Sequence, residues 1–95
     1  MKKGELSGTS IVTRGKGLLS SNVYGEIVLI SIKSGIYYDL DEVGSFIWNA
    51  LENPLPVIDV VEQVLLNYEI ERAACEEDVM EFLRNLNDYN LLEIK

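Results

Sequence analysis

Few side chains in this sequence are suited to catalysis. The 95 residues include no histidine, the residue most often used in general acid–base catalysis, so Ser-His-Asp and Cys-His arrangements cannot form within the chain. Cys75 is the single cysteine, and the acidic residues Glu76, Glu77 and Asp78 that follow it oppose formation of a thiolate. We therefore expect Cys75 to be a small, partly buried side chain and the protein not to be an enzyme. An enzyme that uses Cys75 or the acidic residues is the alternative.

The acidic run after Cys75 is also a candidate metal site, but its spacing is unsuitable. Glu76, Glu77, Asp78 and Glu81 lack the alternating positions and the glycine of a calcium loop. Without histidine or a second cysteine there is no ligand pair for zinc, and the glycines form no phosphate-binding loop. We interpret the run as negative charge near the start of a helix, and expect no metal and no cofactor.

The overall charge limits the classes of partner. A net charge of −8 disfavours binding to nucleic acid, because the phosphate backbone repels the protein. The start of the chain lacks the apolar stretch of a secretory signal, and no run approaches the roughly 18 apolar residues of a membrane helix. A lone cysteine offers no disulfide framework. We expect one cytoplasmic domain with neither a nucleic-acid nor a membrane partner.

The first half of the chain has the pattern of a small antiparallel sheet. Residues 1–17 are rich in Gly, Ser, Thr and Lys and predict a flexible arm that ends in a short extended piece. Three apolar or β-branched runs follow, at 18–23, 26–32 and 36–40, separated by short turns. These runs predict a three-stranded meander whose third strand lies at an edge.

The second half changes to helical periodicity. Asp41 is suited to cap a helix that Asn53-Pro54 ends, and two further amphipathic helices follow. Asn90 lies where a left-handed residue would end the third helix, before a short tail that is either extended or frayed. The predicted fold class is α+β, a three-stranded antiparallel sheet followed by three helices, similar to a winged helix-turn-helix. A DNA-binding regulator of that kind is a further alternative, but the acidic third helix disfavours it.

The edge strand at 36–40 is the best candidate for function. An edge exposes unpaired backbone N–H and C=O groups, which an extended peptide can complete by adding as a further strand. Alternation puts Ile36, Tyr38 and Leu40 on one face of this strand and Tyr37 and Asp39 on the other.

Three segments resemble the PqqD-like family, the recognition elements of ribosomally made and post-translationally modified peptides. They are "IYYDLDEVGSFIWNAL", "VIDVVEQVLLNYEIE" and "CEEDVMEFLRNLNDYNLLE", and the resemblance covers residues 18–95. It implies that the leader segment of a precursor peptide adds to the third strand and lies against the third helix. It further implies the following peptide-binding residues: Ile36, Tyr37, Tyr38, Asp39, Leu40, Asp78, Glu81, Phe82 and Asn85.

The resemblance also assigns structural residues. Val79, Leu83 and Leu86 would belong to the core, Gly44 would permit close approach of the first helix to the sheet, and Trp48 would fill the core.

Stand-alone members of the family serve several pathways, and lasso peptide biosynthesis is the interpretation that we favour. The protein would then present the leader to a separate leader peptidase or another modifying enzyme. A chaperone for a radical-SAM-modified peptide, including pyrroloquinoline quinone, is the alternative, although Leu-Glu-Asn-Pro at 51–54 replaces the Asp-Gly pair usual in quinone-pathway members. The acidic third helix suggests a leader with Lys or Arg near its docking segment. The open edge is compatible with a monomer or a weak dimer.

Overall fold

The structure is a computed structural model that describes residues 6–95. Within those residues the chain forms six strands and three helices. The strands are β1 (Ile11–Arg14), β2 (Leu18–Val23), β3 (Glu26–Ser31), β4 (Tyr37–Asp39), β5 (Leu55–Pro56) and β6 (Leu92–Ile94). The helices are α1 (Glu42–Ala50), α2 (Val57–Asn67) and α3 (Arg72–Asp88).

The predicted meander is present as the antiparallel sheet β2-β3-β4, and β4 lies at its edge as expected. Tyr24 and Gly25 connect β2 to β3, and both have positive φ, at 54° and 89°. Positive φ at both residues of a two-residue loop matches the twist of the flanking strands, which explains the tight hairpin.

A second antiparallel sheet, β5-β1-β6, was not predicted. Its central strand β1 lies in the stretch 1–17, which the sequence pattern assigned to a flexible arm that ends in a short extended piece, and β1 corresponds to that piece. Val12 in β1 has no exposed surface and pairs with Leu55 on one side and Ile94 on the other. The expectation of a single three-stranded sheet is therefore corrected to two sheets within an α+β fold. Residues 1–5 of the expected arm lie outside the described residues.

One cluster of buried apolar side chains joins both sheets and the three helices. Trp48 is buried in it, as predicted, and the Arg14 guanidinium lies 5.3 Å from the centre of its ring. The same guanidinium donates from Nε to the Trp48 carbonyl at 2.9 Å. Val79, Leu83 and Leu86 of α3 also belong to the core, which confirms their predicted role. The fold thus fixes one face of α3 and leaves its other faces available.

The ends of the helices agree with the sequence signals. The Gly44 N–H donates to the Asp41 carboxylate at 2.7 Å, so Asp41 is the N-cap of α1 as predicted. Asn90 has φ of 61° directly after the end of α3, which confirms the predicted left-handed residue. The tail that follows is the strand β6. Two residues thus separate β4 from α1, and α3 ends in a sharp turn.

Candidate functional site

The backbone hydrogen bonds of β4 determine which of its groups remain available. The Ser31 N–H donates to the Ile36 carbonyl at 3.0 Å, and the Leu40 N–H donates to the Ile27 carbonyl at 2.9 Å. Ile36 and Leu40 therefore direct their backbone groups toward β3, as does Tyr38 midway between them by the alternation of an antiparallel ladder.

Tyr37 and Asp39 direct their N–H and C=O groups away from the sheet. Within residues 6–95, no strand pairs with that side of β4. The five predicted backbone partners at 36–40 are thus reduced to two residues with outward groups. An added strand would bond to both.

Ser45 holds the end of β4 in place. Its hydroxyl accepts the Ile27 N–H at 2.8 Å and donates to the Leu40 carbonyl at 3.3 Å. The hydroxyl thus bridges two backbone groups that would otherwise bond directly across the ladder. Ser45 is buried and belongs to α1, so this side chain ties the end of the edge strand to the helix that follows it.

The two faces of β4 differ in their surroundings. On the inner face Leu40 is buried and Tyr38 is half-buried, with its ring centre 5.4 Å from that of Tyr89 beyond the end of α3. On the outer face Asp39 is exposed and Tyr37 is 68% exposed. The Leu40 side chain is thus packed in the core, and the Tyr38 ring contacts Tyr89 next to the C-terminal end of α3.

Two cavities lie near α3, and one of them also contacts β4. The larger, of about 900 Å³, lies at the start of β4 and is lined by Ile36 and Tyr38 together with Tyr89. Lys16 and Lys33 also line it. The smaller, of about 230 Å³, lies between the three helices and is lined by no β4 residue, although Asp41, which caps α1, contributes to its lining.

α3 forms the wall opposite the strand. Asp78 and Phe82 line the smaller cavity. Glu81 and Asn85 line neither cavity, and both are exposed on the same helix. Tyr89 continues the spacing of 78, 82 and 85 by one more turn, so the helical period was a signal that could have identified it. Of the nine predicted residues, Ile36 and Tyr38 line the larger cavity and Asp78 and Phe82 line the smaller one, while the other five line neither.

Gly44 permits a close approach, but not the one that was predicted. A Cβ atom at this position would lie 3.0 Å from Cε1 of Phe82 and 3.0 Å from the Asp41 carboxylate. The start of α1 does approach the sheet through Ser45, but the atoms nearest to a Cβ at Gly44 belong to Phe82 of α3 and to Asp41, so the predicted reason for the glycine is corrected. The glycine lets the Phe82 ring lie against the start of α1.

Cys75 is buried in the core, with 1% of its surface exposed. Burial raises the pKa of the thiol, the nearby Asp78 and Glu76 raise it further, and Arg72 lowers it. A buried neutral thiol agrees with the structural role expected from the sequence.

In the part of the chain that the structure describes, no group of three or more His, Cys, Asp or Glu side chains could hold a metal ion. None of the described helices is both long enough and apolar enough to span a membrane.

Comparisons with known proteins agree with this geometry. The profile of the PqqD family, described as coenzyme PQQ synthesis protein D, matches residues 26–92. The structure of TbiB1 in complex with the TbiA(beta) leader peptide is 33% identical, with a TM-score of 0.79 over 85% of this chain and 94% of that one.

Two more distant structures share the fold. Lasso peptide synthetase B1 complexed with the leader peptide is 21% identical, with a TM-score of 0.77 over 86% of this chain and 96% of that one. The PqqD truncation of Methylobacterium extorquens PqqCD, a stand-alone recognition element, is 19% identical, with a TM-score of 0.76 over 93% and 94%. A comparison with curated protein sequences finds no significant match. The family predicted from the sequence is thus confirmed, and this chain belongs to the PqqD family.

Proposed function

We propose that this protein is a non-catalytic binding protein that captures the leader segment of a ribosomally synthesised precursor peptide. The leader adds as a strand to β4 and is presented to a separate leader peptidase or modifying enzyme, in lasso peptide biosynthesis. The observation that carries the proposal is the open edge of β4 beside a groove walled by α3.

The binding mode follows from the alternation of strands. Backbone bonds to Tyr37 and Asp39 give affinity that is independent of the leader's sequence. Leader residues opposite Ile36, Tyr38 and Leu40 share their inner face and point toward α3, where side-chain selectivity arises. On the α3 side we propose that Asp78, Glu81, Phe82 and Asn85 contact the leader.

Capture of a leader is supported by TbiB1, which is 33% identical and was solved with a leader peptide bound. The chemistry must come from a partner, because the chain contains no histidine and its one thiol is buried. The family profile, described as a coenzyme PQQ synthesis protein, favours a second candidate: a chaperone for a radical-SAM-modified peptide, including pyrroloquinoline quinone.

The test is a titration of the isotope-labelled protein with a synthetic leader from the short precursor encoded beside its gene. We expect a dissociation constant that is micromolar or tighter, and backbone shift changes that centre on Tyr37, Asp39 and the exposed side of α3. An absence of binding, or shift changes that avoid residues 36–40, would contradict the proposal. A neighbouring gene for an ATP-dependent cyclase would support the lasso pathway, and one for a radical-SAM enzyme would support the alternative.

A further inference from the structure

The basic side chains of this acidic protein are unevenly engaged. Residues 6–95 contain Arg14, Lys16, Lys33, Arg72, Arg84 and Lys95. Arg14 bonds to Trp48, Arg72 pairs with Glu62 at 2.8 Å, and Lys95 lies 3.5 Å from Glu93. Among the described residues, the other three cations form no ion pair.

Two of those three cations, Lys16 and Lys33, line the larger cavity at the start of β4. They come from two different loops, and the only acidic residue of the lining is Asp88. This end of the groove therefore carries two positive charges and one negative charge in a protein whose net charge is −8.

The other end of the groove has the opposite sign. Asp41 and Asp78 line the smaller cavity, and its lining includes no basic residue. Asp41 uses one carboxylate oxygen to cap α1, whereas Asp78 is exposed on α3. Because Asp41 directly follows Leu40 in the chain, the surface beside β4 is positive near Ile36 and negative just beyond Leu40.

A peptide strand added to β4 would lie near both the positive and the negative end of the groove. Inner-face residues recur every second position, so those opposite Ile36 and Leu40 are four residues apart, or about 13 Å. One of them faces the cavity lined by the lysines, and the other lies next to the cavity lined by the aspartates.

We propose, building on the proposed function, that the groove selects its peptide by a pair of opposite charges four residues apart. An acidic side chain of the peptide faces Lys16 and Lys33, and a basic side chain faces Asp41 and Asp78. The order of the two charges along the peptide reports the direction in which the added strand runs. The occupant is an extended peptide of this pattern, because charge of one sign alone would match only half of the groove.

The test is a selection of displayed random 15-residue peptides on the unmodified protein and on three variants. Lys33→Glu alters the positive end, and Asp78→Lys alters the negative end. Arg84→Glu is the matched control for Lys33→Glu, since it also replaces a cation by a carboxylate, but at an exposed α3 position that lines neither cavity. Circular dichroism and size-exclusion chromatography establish that each variant is folded and whether it self-associates.

We expect the unmodified protein to enrich peptides with an acidic and a basic residue four positions apart. Lys33→Glu removes the acidic preference and keeps the basic one, Asp78→Lys does the reverse, and Arg84→Glu keeps both. For the best peptide, the double variant Lys16→Glu/Lys33→Glu weakens binding about tenfold, less at high salt.

Enriched peptides without this charge pair overturn the inference and leave the proposed function standing. The same holds if Arg84→Glu acts as strongly as Lys33→Glu, or if the lysine variants abolish a dimer and leave peptide selection unchanged. If neither the unmodified protein nor any of the variants enriches a peptide, the proposed function fails, and this inference fails with it.

Discussion

The meander has two open edges, β2 and β4, and only one of them has the properties of a binding site. Both strands pair with β3 in antiparallel register, and neither has a second partner within the described residues. β2 is six residues long and β4 only three, so the amount of free backbone would favour β2.

The difference lies in what stands beside each edge. On the inner face of β2, Leu18 at its start is half-buried and lines the larger cavity, whereas Ser20 and Asn22 are exposed. A strand added along most of β2 would therefore meet solvent on both faces. On the inner face of β4, Leu40 is buried, and Tyr38 lies against Tyr89 in the lining of the larger cavity. A sheet edge thus binds selectively where a neighbouring element, here α3, buries the side chains of the added strand.

The largest expected effect distinguishes the two edges directly. Asp39→Pro removes an outward N–H from β4 without touching the ladder to β3, since proline is tolerated where a strand N–H faces solvent. We expect leader affinity to fall about 10- to 100-fold, because one backbone bond is lost and the ring hinders the added strand. Isothermal titration with the cognate leader measures the change.

The matched control is Ser20→Pro, which removes an outward N–H from β2 and is expected to leave affinity unchanged. Asp39→Ala separates the loss of the carboxylate from the loss of the N–H. Equal losses of affinity for the two proline variants would mean that the leader does not distinguish the edges. Tyr38→Pro is a poor test by comparison, since the Tyr38 backbone faces β3 and its loss would disturb the fold.

A second effect concerns the attachment of the β4 edge to α1. Ser45→Ala leaves the buried Ile27 N–H without its partner, so we expect the free energy of unfolding to fall by about 2 kcal/mol. Urea unfolding followed by Trp48 fluorescence measures this change. Ser21→Ala at an exposed position of β2 is the control and should change stability by less than about 0.5 kcal/mol. Similar midpoints for the two variants would argue against the bridging role of Ser45.

A third effect tests the wall beside β4. Tyr89→Ala removes the ring that meets Tyr38, and we expect leader affinity to fall about fivefold, the scale of one aromatic contact. Tyr24→Ala, in the exposed turn between β2 and β3, should leave it unchanged. Fluorescence anisotropy with a labelled leader resolves a fivefold change. An unaltered affinity for Tyr89→Ala would remove this residue from the site.

Sequence patterns identified the features that depend on local chemistry. The hairpins, the Asp41 cap and the left-handed Asn90 follow from turn and capping preferences over a few residues. The second sheet could not be found in this way, because its strands are two to four residues long and Val12 pairs with Leu55 and Ile94 far along the chain. The alternation of apolar and polar residues that indicates a strand can be recognised only in runs longer than these.

The candidate site was predictable in outline for the same reason. Alternation indicated which residues of 36–40 share a face, and the resemblance to the PqqD-like family implied the α3 wall. Which backbone groups are free depends on the register with β3, which the sequence does not reveal. The contact of Gly44 with Phe82 and the position of Lys16 beside Ile36 likewise depend on tertiary packing.

The smallest expected effect concerns the outer face, where the two edges are alike. Leu19 of β2 and Tyr37 of β4 flank Ile30 in one row across the sheet, and both are exposed. If exposed apolar side chains determined binding, β2 would serve as well as β4. Tyr37→Thr keeps a strand-forming residue and the outward N–H, so we expect leader affinity to change less than about threefold. A loss as large as that of Asp39→Pro would show that the Tyr37 side chain, and not the backbone beneath it, makes this edge the binding edge.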